Sequence, residues 1–314
     1  MQFLLLERIT VQNANAISGL TYGFPGITNF LGFAHALSRK APSQLGVSFA
    51  GVAVVCHKHQ VHAKRPSQWA DYTFALTRNP LTKDAKTAPI NEEGRMDMQV
   101  SLLIEIEGLA QGDRDTNEAL VDWAMQHVPF MRLAGGQITG LASAQVVAPS
   151  MQKKALHKLM PAFALIDRSD YLAEHFEALK AENANTTLMD AWLDFAKLQY
   201  KAEPLEEGET KAKWLHQPKP APGYLVPIVV GYKAISPLYE PGNVAGARDA
   251  QTPVTFVEAV HSIGQWQSVH RFNNIDEMAW RYSYESPWYI AKTSQVVQAE
   301  QAIEPDEDEE EISV

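Results

Sequence analysis

The stretch Leu4–Lys40 reads LLLERITVQNANAISGLTYGFPGITNFLGFAHALSRK, and its reading decides the fold. Phe3 to Val11 is a short apolar, β-competent run, whose length predicts a strand rather than a helix. The pattern then stops. Gln12 to Gly26 mixes small residues with Asn13 and Asn15, Gly19, Gly23 and Gly26, Tyr22, Phe24 and Pro25, which is loop chemistry. Thr28 reads as an N-cap, and Phe30, Leu31, Ala34 and Leu37 then share one helical face. The unit is strand, long loop, helix. A loop of this length that carries aromatics and small residues reads as a recognition loop rather than a disordered one.

Working outward, Val47 to Cys56 is apolar on both faces towards its end, as a strand in a sheet centre is. Met96 to Ile106 alternates: Met96, Met98, Val100, Leu102, Ile104 and Ile106 on one face, Asp97, Gln99, Ser101, Leu103 and Glu105 on the other, which predicts one core face and one face mostly towards water. Asp115 with Glu118 resembles a capping box, followed by a helical face of Leu120, Val121, Ala124 and Val128. Pro129 and MRLAGGQI, Met131–Ile138, complete the series. Strand, helix, strand, strand, helix, strand predicts an α+β fold with a ferredoxin-like, RRM-like core over residues 1–140. The 39 residues from His57 to Arg95 are far too many for a hairpin turn and read as a protruding thumb that carries Trp69, Tyr72 and Phe74.

Residues 141–300 are expected to pack on that core. Lys153, Lys154, His157 and Lys158 suggest a short basic helix, and Phe163–Ile166 a returning strand. Two helices capped by Ser169 and Thr187 read as a helical insertion. Lys201–Pro222 reads as a charged linker, Tyr224–Val230 as a strand, and Gly231–Pro253 as turns. Helices are expected around Phe256–Ile263 and Ile275–Trp280, and a disordered acidic tail over 301–314.

Composition narrows the classes. At 314 residues, with 46% hydrophobic and 20% charged residues, the chain has the make-up of a soluble globular protein of one large or two small domains. No apolar run approaches the ~18 residues of a membrane span, and no basic region precedes Phe3–Leu6 as a signal peptide requires. A single cysteine, Cys56, excludes an internal disulfide and fits a reducing cytoplasm. The net charge of −10 argues against nucleic acid until its distribution is read. EPDEDEEE, Glu304–Glu311, holds seven of the 37 acids and no base. Cys56–Arg95, by contrast, has seven lysines or arginines against four acids, together with His57, His59 and His62. A basic segment in an acidic protein is a footprint for phosphate.

No Gly-x-Ser-x-Gly elbow, P-loop or dinucleotide glycine signature is present. His57 and His59 would share a strand face and, with Cys56 and His62, form the best metal candidate. A full site needs three or four ligands, and no second group accompanies them. The surface or RNA-facing reading is therefore preferred to a metal-dependent ribonuclease built on these histidines. In MRLAGG, Gly135 and Gly136 either make a tight connection or admit a phosphate backbone that pairs with Arg132. Arg78 and Asn79, in LTRNPL, and Arg95, after Glu92 and Glu93, either clamp phosphate or sit solvated and paired. Asn13 and Asn15 either read bases through their amides or stabilise turns. The acidic face of Met96–Ile106 repels phosphate, so bound RNA should follow the loops, the thumb and the glycine turn.

NANAISG, the following Gly-Phe-Pro, FLGFAHAL, TRNPL, EEGR, MRLAGG and GYKAISPLYEPG with ARD and TP together resemble the second Csy protein family, the Cas-five-type subunits of type I-F CRISPR surveillance complexes. The resemblance covers most of the chain. It implies a non-catalytic RNA-binding subunit, without cofactor or metal, that holds the 5′ handle of the CRISPR RNA. It also implies pairing with the large Csy subunit as a heterodimer, contact with an adjacent backbone subunit, and a meeting with target DNA through the assembled complex. The residues expected to meet RNA are Asn13, Asn15, Lys58, Arg78, Asn79, Arg95, Arg132, Gly135, Gly136 and Arg248. A protein-only scaffold is the remaining alternative.

Overall fold

In the computed structural model, residues 1–204, 212–247 and 249–294 are described. Arg248 and the acidic tail lie outside the described residues.

The first strand, β1 (Gln2–Asn15), is longer than its apolar run and reaches into the expected loop. It is followed by α1 (Ile27–Ser38), β2 (Ser48–Val61), β3 (Arg95–Glu107), α2 (Arg114–His127), the short β4 (Arg132–Leu133) and β5 (Gly136–Gly140). These strands lie in the order β5-β1-β3-β2, each antiparallel to its neighbour. Ile27, Phe30, Leu31 and Leu37 of α1 and Leu120 and Trp123 of α2 pack in one core with Met96, Met98, Val100, Leu102, Ile104 and Ile106. The alternation of β3 is therefore obeyed on that face. Fully burying a side chain such as Phe30 or Leu102 is worth about 1.5–3 kcal/mol.

The other face of β3 differs from the sequence reading. Ser101, Leu103 and Glu105 are buried, and only Asp97 and the terminal Glu107 are well exposed. Phe3, Leu5, Ala53, Val55 and Leu103 form a second core with Ala155, Leu156 and Leu159 of α3 (Gln152–Leu159) and with Phe272, Ile275 and Met278. The polar residues that suggested a wet face are instead held inside. The Ser101 hydroxyl accepts the Arg8 amide at 2.9 Å, and the Arg281 guanidinium donates to Glu105 at 2.7 Å.

Five further strands extend the sheet. After β6 (Ser143–Val147), which pairs with β1, come β7 (Phe163–Asp167), β10 (Tyr224–Ala234), β11 (Val257–Ser268), β12 (Ala279–Glu285) and β13 (Trp288–Thr293). Between them, α4 (Ser169–Glu182) and α5 (Leu188–Ala196) precede a separate hairpin of β8 (Gln199–Pro204) and β9 (Ala212–Gln217). The order β7-β11-β10-β13-β12 starts and ends on the same edge of β2: β7 meets Val55 and Cys56, and β12 meets Val52 and Ala53. The second layer thus closes back onto the first. The fully buried Trp280 fastens it, donating its indole N–H to the Leu165 carbonyl at 2.7 Å. Helices α4 and α5 pack on β10 and β11 through Leu172, Trp192, Phe195, Leu225 and Ile263.

Several local expectations need correction. Phe256–Ile263 is no helix: β11 pairs with β10 along most of its length, and this cross-strand pairing decides the matter over an apolar spacing that imitates a helical face. Ile275–Trp280 is a single 3₁₀ turn, Asp276–Met278, running into β12. Within the expected charged linker at Lys201–Pro222, Lys201 to Pro204 belong to β8 and pair with residues of β9, Ala212–Gln217. Gly26, not Thr28, precedes α1. Asp113, not Asp115, caps α2, accepting the Thr116 amide at 3.0 Å. The Ser169 hydroxyl donates to Asp167 rather than capping α4, whereas Thr187 makes the capping box of α5 with Asp190. No helix among the described residues is long and apolar enough to cross a membrane.

Candidate nucleic-acid interface

Three segments far apart in sequence meet at one corner of the first layer. The end of β1 turns at Asn13, whose φ of +54° is a left-handed value that asparagine tolerates better than most residues. Asn13 is held from both sides: its amide donates to Asp97 at 3.0 Å, and its carbonyl accepts from Arg95 at 3.5 Å. Two residues on, the Asn15 side chain donates to the Ile17 carbonyl at 2.8 Å and accepts the Ile17 amide at 3.1 Å. That local ring is an asparagine turn, so the Asn15 amide is engaged by backbone. The Asn15 backbone amide donates to the carbonyl of Ala134 at 2.8 Å.

Ala134 and Gly135 form the two-residue turn between β4 and β5, with φ of +50° and +74°. Both central residues in the left-handed region make it the turn type that suits a two-residue hairpin. A Cβ on Gly135 would meet nothing within 4 Å. A Cβ on Gly136 would lie 2.7 Å from the Ala14 nitrogen, the Gln12 oxygen and a Val11 methyl, so β1 itself accounts for that glycine. Arg132 is exposed, and its guanidinium donates to the Gly135 carbonyl at 3.3 Å. Arg95 is bound to Glu93 through both Nε at 2.9 Å and a terminal nitrogen at 2.5 Å. The corner therefore offers an exposed Arg132, an open glycine turn and the Asn13 side chain, beside an arginine already paired with a carboxylate.

The segment between β2 and β3 is built from two small ladders, Ala63–Lys64 with Thr73–Phe74 and Leu76–Arg78 with Ile90–Glu92. Its base is tied to the corner. The Ala16 amide donates to Gly94, the His62 amide donates to Arg95, and Tyr22 packs edge-on against Phe74 at 4.9 Å between ring centroids. Arg78 and Asn79 are exposed, and neither side chain has a partner among the described residues. Trp69 is 90% exposed. Lys58 is exposed on β2, away from the glycine turn.

The histidines do not form a cluster. A register shift between Cys56 and Lys58 inserts His57 as an extra residue, so His57 and His59 no longer share a face as strict alternation requires. The His57 ring meets the Ser101 hydroxyl at 2.7 Å, His59 meets the Cys56 sulfur at 3.7 Å, and His62 meets Asp97 at 3.2 Å. Burial lowers the pKa of both His57 and His59, with the Arg8 charge adding to the effect at His57. Burial pushes the Cys56 thiol up to about 12, which makes it a poor nucleophile. The three-histidine geometry that motivated a ribonuclease is therefore absent among the described residues.

Sequence reasoning missed His261, which anchors the opening loop. Its Nε2 accepts the Leu20 amide at 3.2 Å, and a Cβ on Gly19 would collide with the same ring. Ser18 accepts the Val229 amide at 3.2 Å, and Phe24 packs edge-on against Trp266 at 4.9 Å. The loop is thus a bridge between the two layers. A spacing of some 240 residues between the partners leaves no signal in the local pattern.

The family profile described as CRISPR-associated protein (Cas_Csy2) matches residues 4–290. CRISPR-associated protein Csy2 of Pseudomonas aeruginosa (strain UCBPP-PA14) is 37% identical over 300 residues, spanning 90% of this chain and 91% of that protein. With the match running from the first strand to the last, the chain belongs to the Csy2 family of CRISPR-associated proteins.

Proposed function

We propose that the chain is a non-catalytic, Cas-five-type subunit of a type I-F CRISPR surveillance complex. In this reading it holds the 5′ handle of the CRISPR RNA, pairs with the large Csy subunit and touches the adjacent backbone subunit. Family membership supports the setting. The observation that carries the RNA role is the corner where Asn13, Arg132 and Gly135 meet, with the basic thumb rooted beside it. The order β5-β1-β3-β2 with two helices on one face supports a ferredoxin-like core over residues 1–140, with the thumb at about 57–95 and residues 141–300 packed upon it.

The chemistry is positioning. Arg78 and Arg132 pair with phosphates, the Gly135 turn lets the backbone approach, and Asn13 and Asn79 present amides to base edges or sugars. Arg95 contributes by bracing the corner against Glu93 and Asn13, and Lys58 contributes further along β2. Target DNA is read by guide pairing in the assembled complex.

Expression of the chain with its operon partners tests the reading: a discrete short RNA should copurify. Partners retained without that RNA would leave a protein-only scaffold.

A further inference from the structure

Away from the glycine turn, a cavity of about 310 Å³ opens where the two layers join. Its floor is formed by Trp266 and Cys56, both buried, and its sides by Phe163 and Tyr224, which are 51% and 67% exposed. Register brings these residues together: Phe163 stands opposite Cys56 across β7 and β2, and Tyr224 opposite Trp266 across β10 and β11. Beyond Cys56, β7 has ended. The edge of β2 that carries Lys58 and His59 has no strand on that side among the described residues, so backbone polar groups border the cavity.

Two large rings left half open beside a buried indole form an aromatic receptacle, and its size is at the small end for ligand sites. Lys58 is the one lining residue with a formal charge, and none of the lining residues is a carboxylate. Burial holds the two lining histidines, His57 and His59, towards their neutral form. This is also where the basic segment from Cys56 to Arg95 begins. An aromatic recess with a lysine at its mouth and an open strand edge matches a nucleotide with a planar base and a phosphate. It matches an apolar protein side chain less well, since such a side chain leaves the lysine and the strand edge without counterparts.

We propose that this cavity receives one unstacked base of single-stranded RNA, packed against Phe163 and Tyr224 above Trp266, with a neighbouring phosphate on Lys58. The inference rests on the RNA-holding role proposed above, and it adds a second contact, separate from the glycine corner. Stacking of a base on an aromatic side chain contributes about tenfold to a hundredfold in affinity.

The test uses the ribonucleoprotein copurified with its operon partners and a thiouridine-substituted guide. On irradiation, crosslinks should map to peptides containing Phe163, Tyr224 or Trp266. Crosslinks confined to other peptides would overturn the proposal while leaving the handle-binding role in place. Phe163→Ala and Tyr224→Ala should each weaken binding of the short guide RNA about tenfold, with rescue by Phe163→Tyr and Tyr224→Phe and an unchanged thermal midpoint. Unchanged RNA affinity with loss of a protein partner would assign the cavity to a protein side chain and overturn the proposal. Absence of RNA from the parent complex would instead remove the handle-binding role itself.

Discussion

The backbone amide of Asn15 donates to the carbonyl of Ala134 at 2.8 Å, which fastens the opening loop to the glycine turn. The proposed RNA corner depends on this join, because it sets Asn13 beside Arg132 and Gly135. Buried or bridging backbone bonds of this kind also transmit damage. A change on either side of the join should therefore be felt on the other.

The two glycines of the turn should respond differently. Gly136→Ala places a methyl against backbone atoms of β1 that cannot swing aside, and it should cost about 3 kcal/mol. Gly135→Ala meets open space and should carry only the left-handed backbone cost, about 1 kcal/mol. Urea unfolding of both variants checks the order. A milder Gly136 variant would show that β1 yields.

Arg95 and Glu93 are each about one-third exposed, so their contact contributes little to stability. A double-mutant cycle with Arg95→Ala and Glu93→Ala should give a coupling below ~1 kcal/mol. A coupling above ~2 kcal/mol would mark Arg95 as a structural linchpin rather than a partly available cation.

Arg281 joins β12 to β3 by donating to Glu105 at 2.7 Å, and it also reaches Asp276 at 2.6 Å. The Glu105 side chain is only 8% exposed. Arg281→Met strands a buried carboxylate and should cost about 2 kcal/mol. That is less than the ~3–5 of a fully buried pair, because the arginine is 28% exposed. Glu105→Gln in the same background should recover part of the loss. No recovery would place the cost in lost packing instead.

Acid should loosen the bridge between layers through His261. Its pKa is lowered by burial, and the neutral ring accepts the Leu20 amide. The folded state thus prefers the neutral form more than the unfolded chain does. Stability is fully present above the ordinary histidine value near 6.5 and is lost as pH falls from there through the lowered folded pKa. His57 and His59 shift in the same sense and add to the loss. His261→Gln, which retains an acceptor, should flatten the decline in unfolding free energy between about pH 7 and pH 5. An unchanged slope would show that His261 titrates alike in the folded and the unfolded chain, so that its contact with Leu20 carries none of the pH dependence.

The strands carried by local pattern were legible: the apolar run of Phe3–Val11 and the alternation of Met96–Ile106 specify period and face directly. Their neighbours were not. Ser101 and Glu105 look like water-facing residues until Arg8, Arg281 and the second layer are brought over them, and nothing near them in sequence announces those partners. β11 was misread because Phe256, Val260 and Ile263 fall at helical spacing, while its pairing with β10 arises from a segment some thirty residues away. The site shows the same division. Gly135 and Arg132 could be singled out from MRLAGG, whereas the packing reason for Gly136, the engagement of Arg95 by Glu93 and the bulge that separates His57 from His59 are properties of register.

The most direct test of the RNA-holding claim is the salt dependence of short guide RNA binding by the chain purified together with the large Csy subunit proposed as its partner. Arg78 and Arg132 are exposed, and neither is bound to a carboxylate among the described residues. Arg78→Ala and Arg132→Ala should each weaken binding and reduce the slope of log affinity against log salt by roughly 0.7. Affinity and slope both unchanged in the double variant would contradict the account.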